Sequence, residues 1–210
     1  MFKNRTEAGI LLAEKLRKFK KDNGVILAVP RGGIPVAYIV ARELGFPLDI
    51  VLTKKIGHPS NKEYAIGAAS LTDYFVIPHP EVTSAYIENE LILIRNRLEF
   101  MRKKFMGDHK PEILTGKTVI IIDDGMATGN TLLSTVGVIK KSNPDKIIIG
   151  VPVASKSAIQ KLSSEVDEVI SLLVPEEFYG VGAFYDNFKE VGDDEVLFYL
   201  EKLKKLKKAG

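Results

Sequence analysis

Short β-rich runs alternate along this chain with stretches in which apolar residues return every three or four positions. The runs at 25–29, 48–53, 118–122, 146–151 and 168–173 are dominated by Val, Ile and Leu, the pattern of strands covered on both faces. Between them, 34–44 and 131–141 read as helices. The first has Pro35 in its opening turn and Gly45 beyond its end, and the second stops before Pro144. Strand and helix in alternation predict an α/β fold: a central, mainly parallel sheet flanked by helices. A longer helix is expected over 84–105, where Ile87, Leu91, Ile94, Leu98 and Met101 form a core-facing stripe and basic residues gather toward the C-terminal end.

Two segments break the rhythm. Residues 54–80 are rich in Gly, Pro, Asn and His and follow a predicted strand, so they read as a long functional loop or hairpin. Residues 175–194 are irregular and aromatic, after which a basic helix is expected to run to 208. The opening MFKNRTEAGILLAEKL places charges among its apolar positions, which suits an amphipathic helix rather than a signal peptide. These features predict a single domain over 1–210. Its core would span about 22–174, with a small hood formed by the N-terminal helix and residues 175–210.

Composition narrows the function. A chain of 210 residues, 45% apolar and 27% charged, can bury one sizeable core. Its net charge of +3 falls short of a dedicated nucleic-acid binder and suits an anionic small ligand. The basic stretches at 17–21 and 202–208 read as solvated helix faces. The absence of cysteine removes disulfides, thiolate metal sites and a cysteine nucleophile, and His58, His79 and His109 are too scattered to suggest zinc. No run is long and apolar enough to span a bilayer. The expected setting is the cytoplasm, without membrane or nucleic-acid partners.

The chemistry concentrates in VIIIDDGMATGNT, residues 119–131. A strand leads to two carboxylates and then to a small-residue loop opening into a helix. Gly125, Ala127 and Gly129 allow close backbone approach. Amides at the helix start, with the Thr128 and Thr131 hydroxyls, can hold a phosphate monoester. Asp123 and Asp124 would repel phosphate but suit neutral hydroxyls, so the expected ligand carries a phosphate at one end and vicinal hydroxyls nearby, as ribose 5-phosphate does. Neither a Walker A sequence nor G-x-G-x-x-G is present. A second strand-loop-helix unit carries PRGG at 30–33, where Arg31 offers a guanidinium fork and Gly32 and Gly33 offer open amides.

The run of hydrophobic residues, two acidic positions, two variable positions and then small-Thr-Gly-x-Thr resembles the signature of type I phosphoribosyltransferases, which binds 5-phosphoribosyl-1-pyrophosphate (PRPP). With PRGG and KKIG, the resemblance extends over nearly the whole chain. Gly125 stands where that family usually has an aliphatic residue, and Asn130 where Gly or Lys is frequent; neither change removes a ligand-binding group. The resemblance implies a type I fold with a hood and a long flexible loop. It implies that Asp123, Asp124, Gly125, Met126, Ala127, Thr128, Gly129, Asn130 and Thr131 bind the ribose 5-phosphate of PRPP. Arg31 and Gly32 would then receive the pyrophosphate, and Lys54 and Lys55 would reach it from a closing loop, although a solvated role suits Lys55 and His58 equally well. Asp123, Asp124 and Arg31 become the catalytic candidates, and Mg2+ would be carried mainly by PRPP itself. Phe178, Tyr179, Phe184 and Tyr185 lie where the family builds its acceptor hood, with Phe178, Tyr179 and Tyr185 taken as the acceptor-binding set. A homodimer is also implied. Ala127 occupies the place of a third carboxylate in the hypoxanthine-guanine type, so this chain departs from that type and leaves the acceptor open. Two other readings stand beside the transferase: a non-catalytic PRPP-sensing regulator, and a hydrolase of a phosphorylated sugar.

Overall fold

The computed structural model describes residues 1–107 and 110–208; His109 lies outside them. Asn4 caps the first helix, α1 (Arg5–Leu16), accepting the Glu7 amide at 3.0 Å, while the Glu7 carboxylate accepts the Lys3 amide at 2.6 Å. This reciprocal pair fixes where the helix begins. The chain continues through β1 (Gly24–Ala28), α2 (Gly33–Leu44), β2 (Leu48–Ile50), β3 (Lys54–His58), β4 (Asn61–Ala69) and β5 (Tyr74–Val76). It then forms α3 (Ser84–Met106), β6 (Thr118–Ile122), α4 (Asn130–Ile139), β7 (Lys146–Val153), α5 (Lys156–Ser163), β8 (Glu168–Leu173) and α6 (Asp193–Lys208).

The central sheet is parallel, in the order β2-β1-β6-β7-β8. Side chains alternate between its faces. Ile26, Ala28, Ile120, Ile122 and Ile148 meet α1, α2 and α6, whereas Val25, Leu27, Val119, Ile121 and Ile149 meet α4 and α5. Covering both faces explains why the inner strands β1, β6 and β7 read as near-continuous apolar runs. From β1 the chain crosses to β2 on one side and later returns to β6 on the other, so the β1/β6 boundary is the topological switch point, where α/β sheets open a crevice at their strand ends. No helix among the described residues is long and apolar enough to cross a membrane.

The segment after β2 is a hairpin extended by a third strand. The antiparallel sheet β3-β4-β5 buries Ile56, Ile66 and Ala69 against Leu91, Ile94 and Leu98 of α3. The apolar stripe of α3 therefore serves mainly this second sheet, while Met101 reaches the main core. The N-terminal region divides differently from the expected hood. Helix α1 buries Leu12 and Leu16 in the main core, and the residues before it join the tail: Phe2 donates to the Phe184 carbonyl at 2.8 Å and accepts from Asp186 at 2.8 Å.

Ile120, fully buried on the central strand β6, tests this packing. Ile120→Ala is expected to lower the unfolding free energy by about 2–5 kcal/mol in a urea titration. Ile92→Ala, on an exposed position of α3, should stay within about 0.5 kcal/mol.

Candidate active site

Strands β1 and β6 pair in register to their last residues, Ala28 beside Ile122, so the loops that follow them emerge side by side. Their contact requires glycine. A Cβ on Gly33 would lie 2.7 Å from the Ile122 carbonyl oxygen, and one on Gly32 would lie 2.1 Å from Asp124 Oδ2. The Pro30–Arg31 peptide is cis. Between the loops opens a cleft of about 520 Å³ lined by Arg31, Gly32, Asp123, Asp124 and Thr131, together with Arg5 and Phe188.

Beyond the carboxylates, the 125–131 loop is pinned to β7 and α5. Met126 donates to the Val153 carbonyl at 2.8 Å and accepts the Ser155 amide at 2.9 Å; the Ser155 hydroxyl donates to the Ala127 carbonyl at 2.6 Å. Gly129 takes φ 70° at the start of α4, a left-handed turn that strains other residues. Lys161 Nζ donates to the Thr128 carbonyl at 3.0 Å and to Asn130 Oδ1 at 2.8 Å. Thus Asn130 anchors a cation beside the loop, while Thr128 and Thr131 stay exposed at the opening of the helix. The space over Gly125 is filled from the tail: a Cβ there would meet Val181 at 2.3 Å.

The two carboxylates differ in surroundings. Asp123 Oδ1 accepts the Asp124 amide at 2.8 Å. Burial first, and the Asp124 charge second, hold the Asp123 carboxyl well above the usual carboxylate range, with Arg5 acting in the opposite sense. Asp124 Oδ2 receives Arg5 Nε at 2.9 Å and Nη2 at 2.8 Å, the two side chains being only 11% and 13% exposed. The Tyr185 hydroxyl donates to the Asp124 carbonyl at 2.7 Å. Burial, then the Asp124 charge, pushes this phenol above its ordinary range.

Arg5 is the site residue that the sequence reading missed. It lies 119 positions from Asp124 and belongs to no motif. The one local signal is electrostatic: a cation at the first position of a helix opposes the macrodipole. Among the other predicted residues, Arg31 pairs with Glu190 and, at 3.6 Å, with Asp193. Lys54 and Lys55 lie on β3 and neither lines the cleft; burial, followed by the charges of Arg97 and Lys55, lowers the Lys54 pKa. Phe178 packs on Phe184 at 5.5 Å, Tyr185 is buried beneath Asp124, and Tyr179 is 80% exposed beside Glu177. None of these three aromatics lines the cleft; Phe188 does.

Residues 5–188 match the phosphoribosyl transferase domain. The chain belongs to the phosphoribosyl transferase family. Among curated relatives, a Mycobacterium tuberculosis protein provisionally named a phosphoribosyl transferase is 33% identical over 96% of this chain. The alignment covers 47% of that protein, so this phosphoribosyl transferase chain spans about half the length of the curated relatives it matches. Among solved structures, a Thermus thermophilus protein superposes with a TM-score of 0.88 at 36% identity, over 96% of this chain and 98% of its own. A Neisseria gonorrhoeae protein shares the fold alone, with a TM-score of 0.53 at 16% identity over 94% of this chain and 92% of its own. The type I phosphoribosyltransferase fold expected from the sequence is therefore the fold of this chain.

The raised pKa of Asp123 has a consequence for stability. A carboxyl whose folded pKa exceeds its unfolded value stabilises the fold only while protonated, and that contribution is lost as pH rises through the folded value. Asp123→Asn should therefore raise the unfolding midpoint of the ligand-free protein at pH 7. The gain should shrink as pH falls through the raised value and vanish below about pH 4, as thermal unfolding across pH would read.

Proposed function

We propose that this protein transfers the 5-phosphoribosyl group of PRPP to a nitrogenous acceptor, a nucleobase or related compound, with release of pyrophosphate. The observation that carries this reading is the contact of the two loops at the β1/β6 switch point. A carboxylate pair stands there between a helix-opening loop of small residues and an arginine-glycine loop. The amides of 127–131 and the Thr128 and Thr131 hydroxyls hold the 5-phosphate. Asp123 and Asp124 accept the ribose hydroxyls and balance the cationic character that develops on the ring. Arg31 exchanges Glu190 and Asp193 for pyrophosphate oxygens and, with the Gly32 amide, stabilises the charge growing on the leaving group.

The described residues hold no cluster of three metal-ligating side chains, which fits a magnesium ion carried mainly by the donor itself, with Asp123 and Asp124 turned to the ribose hydroxyls. Bound in that way, Mg2+ would supply charge neutralisation at the pyrophosphate. In this reading the β3-β4 hairpin closes over the cleft and brings Lys54 and Lys55 toward the donor, excluding water. Of the three tail aromatics expected to meet the acceptor, Tyr179 is the exposed one, and it lies outside the cleft, where Phe188 is the lining ring.

Incubation with Mg-PRPP and a panel of bases and other small nitrogen nucleophiles tests the proposal. Acceptor-dependent pyrophosphate release should appear, and Asp123→Asn/Asp124→Asn should reduce it by at least about 100-fold, the scale of removing a preorganised electrostatic group. PRPP binding with no release under any acceptor would favour a sensing regulator, and release without an acceptor would favour a hydrolase.

A further inference from the structure

Arg5 is held on three sides before any ligand arrives. Its guanidinium lies over the Phe188 ring, 4.0 Å from the centroid; Nη1 donates to the Lys189 carbonyl at 2.8 Å; and Nε and Nη2 both meet Asp124 Oδ2. The Asn4 and Glu7 caps fix the backbone that carries it. The partner is equally constrained, with Asp124 Oδ2 directly above Gly32 and its carbonyl bound by Tyr185. A charged donor stacked on an aromatic ring and bonded through two nitrogens has little freedom to give way.

We propose that Arg5 is a positioning residue of the donor site, whose guanidinium sets the Asp124 carboxylate against the 30–33 loop and makes donor binding depend on the docked tail. The inference rests on the PRPP reading and adds to it a residue outside the signature loops. It gives the 184–190 strap a function. The strap supplies Phe188 and the Lys189 carbonyl to Arg5 and Glu190 to Arg31, so it loads both arginines of the cleft. Arg5 also counters the effects that raise Asp123. The charged and titratable groups around Asp123 are its neighbour Asp124, Arg5 from α1, Arg31 and Glu190 at the cleft, and Tyr185 from the tail.

Affinity for Mg-PRPP, measured by calorimetry from pH 5 to 8, should fall about tenfold or more in Arg5→Gln. The acid limb of binding should move to higher pH, and the 13C-carboxyl titration of Asp123 in the ligand-free protein should move with it. Arg5→Lys keeps the charge without the two-nitrogen contact and should restore the position of the acid limb better than the affinity. A merely structural Arg5 would lower the melting temperature and leave both titrations in place. If the unaltered protein binds PRPP and Arg5→Gln matches it in affinity and acid limb, the Arg5 proposal is overturned. If the unaltered protein binds no PRPP, the donor reading falls and the proposal falls with it.

Discussion

The in-register pairing of β1 with β6 is the constraint on which the rest of the site depends. Because Ala28 and Ile122 end their strands side by side, the 29–33 and 123–129 loops leave the sheet at one height, and the close approach tolerates no side chain at Gly32 or Gly33. A shift of one residue would exchange the side chains that β6 presents to its two cores and carry Asp123 away from the arginine loop. Both faces of β6 are buried and apolar, so the fit of its individual side chains between the two helix layers holds the register and, with it, the geometry of the cleft. Packing and chemistry share one determinant.

That geometry sets two carboxylates against each other in a half-desolvated place. Asp123 meets the cost through its raised pKa, and Asp124 is met by Arg5. Removing one partner of such a pair would leave an uncompensated charge, which explains why Arg5 is anchored so firmly by Phe188 and the Lys189 carbonyl. The tail is thus tied to the cleft electrostatically through Arg5 and Arg31, and sterically through Val181 over Gly125 and Tyr185 under Asp124.

The second sheet has a different character. It packs on two helices: Ile56 and Ile66 meet Leu91, Ile94 and Leu98 of α3, while the sheet also lies against α4, where the Phe75 ring abuts Gly137. Lys54 and Lys55 stand at the base of its first strand.

The residues by themselves determined the central strands, helices α2 to α4, the helix that ends the described chain, and the 123–131 loop. Each of these is dictated by short-range effects: apolar period, proline and glycine at helix ends, and the mismatch between carboxylates and phosphate. The hairpin at 54–76 was legible as an interruption, while its third strand was not, because Tyr74, Phe75 and Val76 gain their pairing only from β4. The tail aromatics show the same division. The family resemblance placed Phe178, Tyr179 and Tyr185 near an acceptor, but packing buried Tyr185 beneath Asp124 in a supporting position and brought Phe188 to the cleft instead. Arg5 lies furthest from any sequence signal. Its role comes from meeting Asp124 across 119 positions of chain, and a contact of that span exists only once the sheet, α1 and the tail have all packed.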